Sequence, residues 1–252
     1  MSERPFTGKT ALVTGSAKRL GRAIALALSD EGANLIIHYH RSAAEAEELR
    51  HLLLERGCQA WTLSADLENG AELEALLPQA LSLAGSLDFL VNSAGVFPRS
   101  TLESLTLSDL LAAMRINTWA PFVLCRDFAR LVGRGKIVNL LDTRTVGYDW
   151  AHVGYITSKH ALALLTKMMA LDFAPQVTVN AVAPGLILPP PGEDETYLQR
   201  LAHTVPLKRH GAPEHVAQAV VFLLKNDFIT GQTIFVDGGR HLKEFEDGSH
   251  TD

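Results

Sequence analysis

Short, uniformly apolar runs alternate with helix-forming stretches along this chain, and that alternation constrains the fold more than any other feature. The runs are Thr10–Thr14, Asn34–Tyr39, Gln59–Ser64, Leu87–Asn92, Lys136–Leu141, Val177–Val182 and Thr233–Val236. Between them lie helical stretches. One starts at the capping-box sequence Ser42-Ala43-Ala44-Glu45 and runs to about Arg56; the others are Leu20–Leu28, Ala71–Leu83, Ser108–Val132, Gly154–Phe173, Thr196–His203 and Pro213–Lys225. Pro78 is expected to kink or end its helix, and Pro121 interrupts another. A strand with one wet face would alternate polar and apolar residues, and these do not. Both faces are therefore covered, which is the pattern of a parallel sheet between two helical layers. The reading is α/β: one doubly wound domain over residues 1–243 with a seven-stranded parallel sheet and helices on both faces. A polar, acidic tail follows, residues 244–252, and is expected to be disordered.

An apolar fraction of 47% in 252 residues supports a core large enough for one such domain. The formal net charge of −5 gives no basis for binding nucleic acid or an anionic membrane. No apolar run reaches transmembrane length and residues 1–6 carry no signal-peptide segment, so the expected location is cytoplasmic. The two cysteines, Cys58 and Cys125, are far apart and outside any CxxC. Of the ten histidines, His38 and His40 lie close together, the rest are scattered, and no HExxH occurs. Neither a disulfide framework nor a metal site is expected.

The first apolar run leads into Thr14-Gly15-Ser16-Ala17-Lys18-Arg19-Leu20-Gly21, which opens the first helix. Small residues at such a junction let backbone approach a pyrophosphate, and a helix N-terminus favours an anion. The turn therefore reads as a Rossmann-type dinucleotide site, with Gly15, Arg19, Leu20 and Gly21 as cofactor contacts. The second strand ends in His38-Tyr39-His40-Arg41-Ser42, without the acid that holds the ribose in NAD sites. Arg41, Arg19 and the Ser42 hydroxyl instead suit a 2′-phosphate, so NADP(H) is expected. Asp66-Leu67 and Asn92-Ser93-Ala94-Gly95 follow strands three and four, where ligands bind in open sheets, although each also reads as an ordinary turn.

Tyr155 and Lys159 sit four apart in a run of strong helix formers, which puts them on one face about 5–6 Å apart at Cβ. An ammonium at that range is expected to lower a phenol pKa that starts near ~10, toward acid–base work at neutral pH. Alone, the same spacing also describes a packed ring beside a solvated amine.

Taken in order, TGSAKRLG, ADL, NSAG, Asn117 in RINTWAP, YITSK and VAPG resemble the short-chain dehydrogenase/reductase family over about residues 7–242. The resemblance implies a catalytic tetrad of Asn, Ser, Tyr and Lys, matched at Asn117, Tyr155 and Lys159. It also implies cofactor contacts at Pro184, Gly185 and Ile187. The position of the family Ser falls on Asp142. An ionised Asp is acceptor-only, so it opposes a developing alkoxide yet accepts from ring N–H or amino groups. Thr143 or Thr145 is the alternative for the role of the Ser.

Asp142, Arg19 at the usual second Gly of the turn, the end of strand two, and Phe97 just beyond NSAG resemble the pteridine reductase branch, including bacterial dihydromonapterin and dihydrofolate reductases. That resemblance implies a pterin held between nicotinamide and Phe97, with Arg19, Asp142 and Tyr155 as further substrate contacts. Gly95 stands where that branch tends to carry Ser. The expected activity is NADPH-dependent reduction of a pteridine. Tyr155, steered by Asp142 and Lys159, passes a proton to a ring nitrogen; Lys159 holds the nicotinamide ribose and Asn117 a water. Competing readings are an NADPH-dependent reductase of 3-oxoacyl compounds or small ketones, and a non-catalytic NADP(H) sensor. The resemblance also implies a homotetramer packed through the helices near 108–132 and 154–173. The loop Leu186–Val205 is expected to close over the small-molecule substrate.

Overall fold

In the computed structural model, which describes residues 4–190 and 192–243, all seven apolar runs form strands. They are β1 (Thr10–Val13), β2 (Asn34–Tyr39), β3 (Ala60–Ser64), β4 (Phe89–Asn92), β5 (Gly135–Leu140), β6 (Val177–Pro184) and β7 (Thr233–Val236). Every pairing is parallel, in the order β3-β2-β1-β4-β5-β6-β7. The tail 244–252, read as disordered, lies outside the described residues.

The helices are α1 (Arg19–Asp30), α2 (Ala43–Glu55), α3 (Gly70–Ala84), α4 (Leu107–Met114), α5 (Ala120–Leu131), α6 (Val153–Asp172), α7 (Glu195–Leu201) and α8 (Pro213–Lys225). Successive strand residues feed opposite cores. Ala11, Val13, Leu35 and Ile37 pack with α1, α2 and α8, whereas Leu12 and Ile36 pack with α3, α5 and α6. All six are fully buried, which is why these strands show no polar alternation.

Three local expectations differ from the structure. α3 does not end at Pro78, the second of the two outcomes expected there, because Leu73, Leu76, Leu77 and Ala80 anchor that helix face in the core on both sides of it. The capping box at Ser42 does not form: Ser42 makes no side-chain cap, and Glu45 pairs instead with Lys18 at 2.6 Å. The 108–132 helix is α4 and α5 joined by a π-helical segment, Arg115–Trp119, in which the Ala120 N–H reaches back to the Arg115 carbonyl just ahead of Pro121. The irregularity thus spans Asn117, the residue four before the proline, whose carbonyl a proline inside a helix leaves without its N–H partner.

The chain departs from β1 in one direction and returns at β4 to build the other half of the sheet. A crevice opens beyond the carboxyl ends at that reversal. Thr14 sits there, and its hydroxyl accepts from the Ser93 and Ala94 amides at 3.0 Å each, which locks the turn after β4 to the turn after β1. Among the described residues, no helix is long and apolar enough to cross a membrane.

Candidate active site

Two glycines shape the turn between β1 and α1. A Cβ on Gly15 would lie 3.0 Å from Ala94 Cα, and one on Gly21 would fall 2.4 Å from the Gly15 carbonyl oxygen. Lys18 leaves the start of α1 without a side-chain cap, no acid occupies the first turn, and Ser16 Oγ is buried without a partner. A helix start with free N–H groups, an unused buried hydroxyl and no carboxylate fits a phosphate. Arg19 holds the left-handed φ of 53°, which costs an L-residue about 1 kcal/mol. Its Nη2 donates to the Pro189 carbonyl at 2.5 Å, tying the turn to the loop after β6.

His38 and Asn92, both read as cofactor contacts, point inward instead. His38 is buried; its Nδ1 accepts from Gly15 N and its Nε2 donates to the Ala65 carbonyl, each at 3.1 Å. Burial lowers it from 6.5 to about 4, so the ring is a neutral clamp beneath the phosphate turn. Asn92 Nδ2 donates to Asn139 Oδ1 at 2.8 Å and to Cys125 Sγ at 3.2 Å, inside the sheet–helix interface. Period-two alternation along β2 and β4 sends these two side chains into the interior. Leu67 likewise packs its side chain into the core. Tyr39, His40, Arg41, Ser42 and Asp66 line a separate recess of about 340 Å³. His40 approaches Asp66 at 3.7 Å, whereas the side chains of Arg41 and Ser42 have no partner among the described residues.

The larger cleft, about 730 Å³, joins Arg19 and Ser93 to Phe97, Asp142, Tyr155, Lys159 and the Pro184, Gly185 and Ile187 segment. Gly185 is required there, since a Cβ would fall 2.5 Å from Asp237 Cβ. Tyr155 Oη donates to Asp142 Oδ2 at 2.9 Å. Asp142 Oδ1 accepts from Arg144 N at 2.8 Å and from Arg144 Nε at 3.1 Å. Arg144 Nη1 pairs with Asp149, and Asp149 Oδ2 meets His152 Nδ1 at 2.9 Å. The His152 ring stacks on Phe97 with centroids 3.9 Å apart, and Phe97 meets Tyr155 edge-on at 4.6 Å. Six side chains therefore form a closed circuit that begins and ends at Tyr155.

The electrostatics of the pair differ from the sequence expectation. Burial, then the charge of Asp142, pushes the Tyr155 phenol well above its usual value. Lys159 does not offset this: its Nζ donates to the Leu140 carbonyl at 2.7 Å, 5.9 Å from the centre of the Tyr155 ring. Burial brings Lys159 itself down to about 8. Burial and the Asp142 charge both favour the neutral form of the Tyr155 phenol. Burial alone would raise Asp149, but the bond from His152 and the charge of Arg144 outweigh it and hold the carboxyl at about 2. Burial opposes the charge on Arg144, and the two carboxylates more than compensate, raising its pKa.

Asn117 Oδ1 accepts from Val96 N, and its Nδ2 donates to Val96 O and Ser158 Oγ, all at 3.0 Å. Both amide hydrogens are used in tying the loop after β4 to α6, which leaves a water only the second Oδ1 lone pair or the main chain. A Cβ on Gly95 would meet Asn117 Oδ1 at 3.0 Å, so a Ser at Gly95 would crowd this brace. Thr143 donates to Asp237 and Thr145 to the Asp142 carbonyl, so neither is the partner of Tyr155. Sequence reading assigned nothing to Arg144, Asp149, His152, Tyr197 or Arg240. Residues 142–152 have no sheet or helix period to relate them; the one available signal was the density of charge just ahead of Tyr155.

A family model described as enoyl-(acyl carrier protein) reductase matches residues 15–241. The structure of FolM alternative dihydrofolate reductase 1 from Brucella canis, complexed with NADP, superposes with a TM-score of 0.91 at 31% identity, covering 98% of this chain and 99% of that one. Glucose 1-dehydrogenase 2 of Bacillus subtilis is 32% identical over 95% of this chain and 97% of its own. The 3-oxoacyl-[acyl-carrier-protein] reductase of Synechocystis is 31% identical over 93% and 97% respectively. With the tyrosine–lysine pair, the phosphate turn and the switch-point crevice all in place, the chain belongs to the short-chain dehydrogenase/reductase family.

Proposed function

We propose that this protein is an NADPH-dependent reductase of a pteridine ring. The observation that carries the reading is the hydrogen bond from Tyr155 to Asp142, at the position where the family pattern has Ser. A serine hydroxyl can donate to a carbonyl oxygen; a carboxylate cannot, but it can accept from the N–H and amino groups that edge a pterin. Phe97, backed by His152 and set edge-on to Tyr155, offers a flat wall for such a ring. Likeness to the Brucella dihydrofolate reductases, both solved with NADP, supports the same substrate class.

The cofactor fits the residues on both sides of the crevice. Gly15, Arg19, Leu20 and Gly21 would hold the pyrophosphate and His40, Arg41 and Ser42 the 2′-phosphate. Asp66, Ser93 and Ala94 would hold the adenosine, and Lys159, Pro184, Gly185 and Ile187 the nicotinamide end. Bound there, NADPH supplies a hydride. Tyr155 gives its proton to a ring nitrogen, and Asp142 sets the direction of the phenol. Arg144 occupies the other oxygen of Asp142 and so fixes which one faces Tyr155. Lys159, whose Nζ donates to the Leu140 carbonyl at the floor of the cleft, would hold the nicotinamide ribose.

The assembly proposed with this activity is a cytoplasmic homotetramer. Leu111, Trp119, Leu164, Met168 and Leu171 are exposed on the α4–α6 side, an apolar area that further copies would cover. A second activity, reduction of 3-oxoacyl groups or small ketones, is favoured by the Synechocystis relative. The test is a panel of dihydropterins, quinonoid pterins, dihydrofolate and simple ketones, followed by loss of NADPH absorbance. Turnover of pteridines well above ketones is the result expected; turnover of ketones alone would overturn the reading.

A further inference from the structure

One end of the cleft has no part in this chemistry. Arg240 lines it beside Arg144 and Tyr197, on a single 3-10 turn that follows β7. The side chain is partly buried and makes no hydrogen bond or ion pair among the described residues. Burial, and then the like charge of Arg144, lowers its pKa.

This is not a loose surface residue. Buried Asp237 accepts from Gly239 N at 2.9 Å, His241 N at 2.7 Å and His241 Nδ1 at 2.9 Å, and also from the Thr143 hydroxyl. The His241 ring stacks on Phe235 with centroids 4.0 Å apart. Gly238 and Gly239 both have left-handed φ, 64° and 87°, and turn the chain back toward the loop after β5. Arg240 is therefore fixed on both flanks, by the same carboxylate that holds the neighbour of Asp142.

The cleft is lined by Arg19, Arg144, Lys159 and Arg240 against one carboxylate, Asp142, in a chain whose formal net charge is −5. Three of those cations are engaged: Arg19 by Pro189, Lys159 by Leu140, and Arg144 by Asp142 and Asp149. Among the described residues, Arg240 is the one cation of the four whose side chain makes no hydrogen bond or ion pair; Asp142 and Asp149 act on it only through space. A half-buried guanidinium with no hydrogen-bonded partner is costly, and an anionic group on a ligand would satisfy its donors. Its electrostatic neighbours are Arg144, Asp142, Tyr197 and Asp149, on the substrate side of Tyr155, whereas Arg19 sits at the phosphate turn.

We propose that Arg240 is a specificity residue that receives a carboxylate on the side chain of the substrate, as on a folate that ends in glutamate. The ring identity in this proposal rests on the pteridine reading; the anion does not. Guanidinium and carboxylate match as a two-pronged pair, and Tyr197 on α7 lies where it can flank the chain that joins ring to anion.

The experiment compares wild type, Arg240→Gln and Arg240→Lys with NADPH and two substrates that share a ring: dihydrofolate, which carries the anion, and dihydrobiopterin, which does not. In parallel, calorimetry follows binding of p-aminobenzoylglutamate to the NADP-loaded proteins. Arg240→Gln is expected to lower the ratio of kcat/KM for dihydrofolate to that for dihydrobiopterin by roughly ten- to a hundredfold, through KM, with partial recovery in Arg240→Lys. The fragment should bind wild type and lose that binding in Arg240→Gln. An unchanged ratio, or fragment binding that is absent or indifferent to Arg240, overturns the subsite. Arg240-dependent fragment binding in a protein that reduces neither pteridine would discard the pteridine reading and leave the subsite standing.

Discussion

The phenol of Tyr155 donates to Asp142 at 2.9 Å, and each residue constrains what the other can do. Burial and the neighbouring carboxylate keep Tyr155 protonated, while Arg144 takes the second oxygen of Asp142. The phenol is thus held protonated and in one orientation, the state from which the proposed proton transfer would start. The return path through Asp149, His152 and Phe97 braces the ring of Tyr155 from its other side.

If Tyr155 is the acid, Tyr155→Phe should lower pteridine turnover by about two to four orders of magnitude. NADPH binding, read by fluorescence titration, should change by less than about threefold, because the proposed phosphate and 2′-phosphate contacts lie elsewhere. Turnover within tenfold of wild type would remove Tyr155 from the proton path.

Lys159 is a buried ammonium with one carbonyl partner, so Lys159→Met should abolish activity yet raise stability below pH 8. The shift from 10.5 to about 8 corresponds to a few kcal/mol at most, on the order of 3 kcal/mol, against the charged form in the folded state. The unfolded chain keeps its proton up to its own pKa, so wild type gains stability as pH rises from 8 toward 10.5. The advantage of the variant over wild type should therefore shrink across that window. Thermal unfolding at pH 7 and pH 10 checks it; an advantage independent of pH would contradict it.

His38 reports on acid. Its folded value of about 4 lies below the unfolded 6.5, so its contribution is complete above pH 6.5 and is lost as pH falls through 4. The loss is on the order of 3 kcal/mol. His38→Leu should be less stable at pH 7, flatter in stability between pH 6.5 and 4, and weaker for NADPH, since the Gly15 N–H loses its acceptor. Urea unfolding across that range gives the slopes, and equal slopes would contradict the clamp.

Among the described residues the side chain of Arg41 has no partner in the recess beyond β2, which suits a 2′-phosphate. Arg41→Ala should lower the NADPH-over-NADH ratio of kcat/KM by roughly tenfold or more. A wild-type preference for NADH would reject the cofactor assignment.

The strands were legible because each carries its own signal: a run covered on both faces is mostly apolar with no polar alternation, and the turn after β1 shows its small residues. Motif order singled out Asn117, Tyr155 and Lys159, and the structure brings Tyr155 and Lys159 to the cleft with Asn117 bracing its floor. Other features depend on how side chains face. Nothing in the spelling of His38 or Asn92 tells that they turn inward. The four-residue spacing of Tyr155 and Lys159 was right, but the direction of the phenol shift came from burial, which spacing does not report. Arg144, Asp149 and His152 act from an irregular loop, and Arg240 reaches the cleft from the far end of the chain, beyond any local pattern.

The most direct test of the pair is Asp142→Ser, which restores the family hydroxyl beside Tyr155 and leaves Arg144 paired with Asp149. With NADPH saturating, kcat/KM is measured for a dihydropterin and for a 3-oxoacyl thioester in both proteins. Pteridine activity is predicted to fall by about a hundredfold or more while thioester activity rises. Pteridine activity unchanged by the substitution would contradict the account.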